Sequence, residues 1–252
     1  MNILKDILTK LKELGCNGIK VSLEDEGALY NEIVTMRYLT AISNIELDLK
    51  IGGCEAKSDI KNCIDINCDK IIAPMIESEY ALKKFVDAIE SSNYKGKKSF
   101  NLETINGYNN FDECIDLLKN FESITFGRVD YVNSINKNRE FVNSDVIYNS
   151  VYSIFEKSKK HGLKCNLGGS INIESKDFIK KLIDSNLLDN FETRYVVFDT
   201  NKINLNNFNE LIYFANLFEI EWMKYIQNRY LNNANKDSKR INMIQERLNN
   251  NK

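Results

Sequence analysis

Two short apolar runs in this chain each lead into an acid. Phe100-Asn101-Leu102 runs into Glu103, and Ile124-Thr125-Phe126-Gly127 runs through Arg128-Val129 to Asp130. Tyr108 to Phe121 between them reads as one helix. Two consecutive parallel strands of an α/β barrel would set Glu103 and Asp130 side by side at the C-terminal rim, where such barrels carry their chemistry. A pair of hard oxygen ligands, with room for waters and a substrate, suits Mg²⁺ or Mn²⁺. The plainer reading is two strand-end acids that cap helices.

Other residues fall at the same rim. A guanidinium at Arg128 can grip a carboxylate or phosphate, or pair with a neighbouring acid. Arg139 lies in the polar stretch Tyr131 to Asn143, which is expected to cover the barrel mouth. Gly168-Gly169-Ser170 ends a late strand, as an anion cradle or as a tight turn. Gly52-Gly53 would let a ligand approach the backbone closely. Glu192 and Arg194 flank the start of the last expected strand and read as the stability face. Asp199 and Thr200, at its other end, read as facing the site.

The elements that must position these residues alternate. Helices are expected at 3–14, 28–42, 57–66, 79–90, 111–118, 145–160 and 176–186. Strands are expected at 18–23, 45–51, 70–75, 99–103, 123–127, 163–167 and 194–199. Repeated strand–helix units imply a parallel sheet with right-handed crossovers. The count is seven strands in a TIM-barrel-like domain over residues 1–203. Residues 204–252 read as a helical extension of one or two long helices. Its stripe of Phe208, Leu211, Ile212, Leu217, Phe218, Trp222, Met223 and Ile226 is core packing or a contact between subunits of a homo-oligomer.

Composition bounds the remainder. The 252 residues suit one barrel of about 250 residues. With 43% hydrophobic and 28% charged residues, a folded chain is expected. A net charge of −2 gives no argument for nucleic acid as a partner. No apolar run approaches the roughly 20 residues that span a bilayer, and residues 1–15 lack the features of a secretory signal. A cytoplasmic protein is expected. The six cysteines form no Cys-x-x-Cys pair and the single histidine is His161, so a Cys/His zinc site is not indicated.

These pieces resemble the class II pyruvate aldolase and citrate lyase β-subunit family. The resemblance rests on Ile71-Ile72-Ala73-Pro74-Met75-Ile76, on Leu102-Glu103-Thr104 with Gly107, and on Gly127-x-x-Asp130. It implies a TIM-type barrel, and the helical start implies that the family's usual first strand is missing. It also implies that Glu103 and Asp130 ligate Mg²⁺ (or Mn²⁺). Lys50 falls where the family has an Arg that binds substrate and steadies the enolate oxygen. Lys keeps the charge but not the planar two-pronged grip. Leu23-Glu24-Asp25 is similar to an acidic run of the citrate lyase branch, whereas the aldolase branch has a Glu-His pair there. Glu24 and Asp25 are therefore candidate catalytic residues.

The activity so implied is carbon–carbon cleavage through a metal-stabilised enolate. The small-molecule carboxylate substrate would be a 2-keto acid, a 3-hydroxy acid or its thioester. Two alternatives stay open. One is a diverged enzyme of thioester or surface-glycan metabolism that uses pyruvate or its phosphorylated enol. The other is a non-catalytic binding subunit with a degenerate barrel.

Overall fold

A computed structural model describes residues 1–23 and 27–250. Glu24 and Asp25 lie outside the described residues. The chain opens on helix α1 (Asn2–Glu13), followed by β1 (Cys16–Ser22), α2 (Tyr30–Ser43), β2 (Glu46–Lys50) and α3 (Lys57–Ile66). Next come β3 (Lys70–Ala73), α4 (Glu79–Ser92), β4 (Lys97–Leu102), α5 (Ile105–Asn109) and β5 (Ser123–Gly127). The last part holds α6 (Arg128–Ser134), α7 (Asp145–Lys160), β6 (Lys164–Gly168), α8 (Lys176–Asp184), β7 (Asn190–Glu192), β8 (Val196–Asp199) and α9 (Phe208–Asn250). Local chemistry sets the helix ends. Ser78 and Ser144 cap α4 and α7 by accepting the N–H of Ala81 and Ile147. Asn44, Asn67 and Asn93 close α2, α3 and α4 in the left-handed region, which Asn tolerates. The segment expected as a helix at 111–118 is a 3₁₀ run, Phe111–Asn120.

The strands form a closed barrel in the order β1 to β8. β1 to β7 run parallel, and β8 is antiparallel to both β7 and β1. This corrects the expected seven strands to eight. The additional strand is not at the helical start but is Asn190–Glu192. Only Thr193-Arg194-Tyr195 separates β7 from β8. A connection that short makes a hairpin, whereas a parallel return needs a crossover of a dozen or more residues. Thr193 fastens the turn: its N–H donates to the Val196 carbonyl at 2.9 Å and its Oγ1 accepts the Val196 N–H at 3.1 Å. The reversal also exchanges the ends of the last strand. Glu192 and Arg194 reach the mouth, while the Asp199 N–H donates to the Gly15 carbonyl at the bottom. The expectation that Asp199 and Thr200 face the site is therefore corrected.

Leu47, Leu49, Phe100, Leu102, Ile124, Phe126, Cys165 and Leu167 are buried in the main core cluster. The residues that alternate with them are unusually polar for a barrel interior, which branched apolar side chains normally fill. Lys70 pairs with Asp48 at 2.7 Å, Ser123 Oγ donates to Ser99 Oγ at 2.9 Å, and Asn190 Nδ2 donates to Asn166 Oδ1 at 2.9 Å. The first part of α9 packs on α1 and buries Phe208, Leu211, Ile212, Ala215, Phe218 and Trp222. The extension is thus one continuous helix. Among the described residues, no helix is long and apolar enough to cross a membrane.

Candidate active site at the barrel mouth

The polar interior opens at the C-terminal rim into a cavity of about 350 Å³. Its parallel-strand wall carries Lys50, Asn101, Glu103, Thr125, Gly127 and Asp130. Its far wall carries Lys20, Ser22, Gly168, Glu192, Thr193 and Arg194. Arg139, Gly169, Ser170 and Ile171, with Asn216 and Glu219 from α9, line the rest.

Glu103 stands one residue beyond β4 and is only 4% exposed. Its Oε1 accepts the Met75 N–H at 3.0 Å, and its Oε2 accepts Asn101 Nδ2 at 3.2 Å. Met75 follows Pro74 and holds φ at +49°, a costly backbone state for a residue with a side chain. That turn aims its N–H at the carboxylate. Gly127 supplies the floor: a Cβ there would stand 2.6 Å from Glu103 Oε2 and 2.7 Å from Glu103 Cβ. Burial pushes the Glu103 carboxyl above its usual range. Lys50 and the Met75 N–H pull it back, Asp130 adds to the rise, and Asn101 opposes it.

Asp130 is not at a strand end but in the first turn of α6, half-buried and facing the same cavity. Lys50 ends β2, half-buried, and has no side-chain hydrogen bond or ion pair among the described residues. Two floor atoms, Asn101 Oδ1 and Thr125 Oγ1, are buried without a hydrogen-bond partner among the described residues. Buried polar atoms are normally satisfied, so orphans beside a carboxylate suit a polar ligand. The donor set of Glu103 and Asp130 is all oxygen and fits Mg²⁺, which keeps several waters and takes one or two carboxylates. Among the described residues, no group of three or more His, Cys, Asp or Glu side chains is gathered to cage an ion.

Three expected site residues stand elsewhere. Arg128 is fully buried and does not line the cavity. Its Nε and Nη2 donate to the Gly168 and Gly169 carbonyls at 3.2 and 2.8 Å, and its Nη1 donates to Asn143 Oδ1 at 2.6 Å. It lies over the Phe178 ring, 4.9 Å from the centroid. Burial lowers its pKa to about 9, which leaves it charged at neutral pH. Neither sequence alternative holds, since Arg128 grips carbonyl oxygens rather than a substrate or an acid. Gly52 and Gly53 also lie off the cavity, and the Gly52 N–H is spent on Asp59 Oδ2 at 2.7 Å.

The Gly168-Gly169-Ser170 turn does line the cavity. Gly169 and Ser170 hold φ at +80° and +55°. A Cβ on Gly169 would lie 2.6 Å from the Val129 N and 2.7 Å from the Arg128 N, so the glycine lets β6 close on α6. Arg139 Nε donates to Ser170 Oγ at 3.1 Å across the mouth.

The sequence reading placed Gly168 at the site but gave Glu192 and Arg194 to the stability face and did not single out Lys20, whereas all four line the cavity. Glu192, 4% exposed, pairs through Oε1 with Lys20, whose side chain is 14% exposed. The available signal was Lys20 itself, a charge set between Ile19 and Val21 in a strand.

No family model matches this chain, and no curated protein matches it. Solved structures do. An HpcH/HpaI aldolase/citrate lyase family protein from Burkholderia cenocepacia J2315 superposes with a TM-score of 0.60 at 10% identity, covering 91% of this chain and 90% of that one. The HpcH/HpaI aldolase from Desulfitobacterium hafniense DCB-2 gives 0.59 at 11% identity over 70% and 78% of the two chains. The citrate synthase SbnG gives 0.57 at 14% identity over 75% and 90%. The resemblance read from the acid-ended strands is thus met at the level of architecture: this chain has the barrel fold of these HpcH/HpaI aldolase/citrate lyase family and citrate synthase structures.

Proposed function

We propose that this barrel is a divalent-metal-dependent carbon–carbon lyase or aldolase that acts on a small 2-keto acid through its enolate. The observation that carries the reading is Glu103: a buried carboxylate oriented by Met75 and Asn101 beside Asp130 and the Lys50 ammonium, which has no hydrogen bond or ion pair among the described residues. A buried carboxylate with a second, half-buried acid beside it costs free energy unless a cation joins them. When bound, Mg²⁺ or Mn²⁺ supplies a Lewis acid for the keto oxygen of the substrate. Glu103 and Asp130 would hold it. Lys50 answers the substrate carboxylate and the negative charge that grows on the enolate oxygen. Asn101 Oδ1 and Thr125 Oγ1 offer acceptors on the floor. The names of the structural neighbours, aldolase and citrate lyase, agree with chemistry of this class.

A Mn²⁺ titration followed by electron paramagnetic resonance tests the reading. We expect one ion per chain, and Glu103→Gln should weaken binding by at least about 100-fold, the upper end of what loss of an outer-shell partner does. Equal Mn²⁺ binding by Glu103→Gln and the parent chain would sink it. The exposed Leu231, Ile241, Ile244 and Leu248 on the distal part of α9 support self-association through that helix. Light scattering of the full chain checks this, and a strictly monomeric mass counts against it.

A further inference from the structure

Among the described residues, the reading above assigns no carrier for the proton. Among the described residues no His, Tyr or Cys lines the cavity. Glu103 has both oxygens engaged, by the Met75 N–H and the Asn101 amide. The far wall offers a second fixed carboxylate. Glu192 is 4% exposed, takes Lys20 on Oε1, and carries no hydrogen bond on Oε2 among the described residues.

Its placement mirrors that of Glu103. Gly127 on β5 and Gly168 on β6 are register partners. A Cβ on Gly127 would meet Glu103 Oε2 at 2.6 Å, and a Cβ on Gly168 would meet Glu192 Oε1 at 3.1 Å. Adjacent strands lie roughly 4.8 Å apart. Two carboxylates therefore flank this glycine pair, Glu103 from just beyond β4 and Glu192 from the end of β7. Both carboxylates line the same cavity.

We propose that Glu192 is the proton shuttle of this site and that Lys20 is the positioning residue that holds it beside the glycine pair. The proposal rests on the enolate reading. In the cleaving direction, Glu192 takes the proton from the hydroxyl on C4 of a 4-hydroxy-2-keto acid. The C4–O bond becomes a carbonyl, the C3–C4 bond breaks, and its electron pair enters the enolate across C3, C2 and the keto oxygen. Glu192, now the carboxylic acid, returns the same proton to C3. One proton moves and no co-reactant is consumed.

The test follows loss of the methyl proton signal of pyruvate in D₂O, with Mg²⁺ and the full chain. The parent protein should exchange these protons. Glu192→Gln should lower kcat for exchange by about 100-fold or more, the usual weight of a general acid–base group, with Mn²⁺ affinity and pyruvate KM kept within about threefold. Glu192→Asp should recover part of the rate. Lys20→Met should cost about 10-fold in kcat, and Lys20→Arg should restore it. Exchange by Glu192→Gln at the parent rate overturns the proposal. So does a loss of Mn²⁺ affinity or pyruvate KM in step with kcat, which would mark a structural pair. If Glu192→Gln does not fold, unchanged exchange by both Glu192→Asp and Lys20→Met overturns it equally. A parent chain that binds Mn²⁺ but never exchanges pyruvate protons defeats the enolate reading, and the shuttle falls with it.

Discussion

The two walls of the mouth place their acids by different means. On the parallel side, Glu103 follows a six-residue strand that is register-paired on both flanks. On the closing side, Glu192 ends a three-residue strand whose neighbour runs backwards. The first wall takes its rigidity from the barrel ladder. The second takes it from an ion pair to Lys20 on β1 and from the Thr193 turn. An acid at the barrel mouth can thus be fixed by sheet geometry or by a short hairpin with a charge clamp, and only the first leaves a long sequence pattern.

Arg128 ties these walls together, and its removal should have the largest effect on stability. From the first turn of α6 it reaches the carbonyls of Gly168, Gly169 and Val142, the Asn143 side chain and Ser175. Arg128→Ala would strand several buried acceptors and open a void against Phe178. We expect a loss of about 3 kcal/mol or more, read from the urea midpoint, with Mn²⁺ affinity falling only as the fold does. Arg128→Lys should recover little, because an ammonium cannot reproduce the fork. A variant of parental stability that no longer binds pyruvate would return Arg128 to the substrate.

The same contrast explains how much was legible. In β4 and β5 the buried Phe100, Leu102, Ile124 and Phe126 alternate with inward polar residues, so both strands and the acid that follows β4 were legible. β7 offers only Asn190-Phe191-Glu192. Its inward residues are polar and its one apolar residue, Phe191, stacks on Phe198 and Phe208. Three residues carry no period. Once that strand is missed, the next one is given the wrong direction, and Glu192 is sent to the wrong end of the barrel. Arg128 failed for another reason. Sequence shows that a charge follows a strand, but not that facing carbonyls will satisfy it inside the protein.

The paired glycines sharpen the comparison with smaller effects. Gly127→Ala puts a methyl at 2.6–2.7 Å from the Glu103 side chain, whose carboxylate is held by two hydrogen bonds and cannot yield cheaply. We expect about 1–3 kcal/mol of destabilisation, the usual range for overpacking, together with a loss of Mn²⁺ affinity. Gly168→Ala meets Glu192 Oε1 at 3.1 Å and Thr125 Cγ2 at 3.3 Å, contacts that a few tenths of an ångström relieve. Its φ is not in the left-handed region, so the backbone accepts alanine. The stability change should stay below about 1 kcal/mol and Mn²⁺ binding should be untouched. Exchange of pyruvate protons should nevertheless slow, because the methyl shifts the far carboxylate by those few tenths of an ångström while leaving the near one in place. If Gly168→Ala exchanges protons at the parental rate and Gly127→Ala alone is impaired, the working chemistry sits on the parallel wall only. If both are slowed, and only Gly127→Ala loses the metal, the two walls divide the reaction between ion and proton.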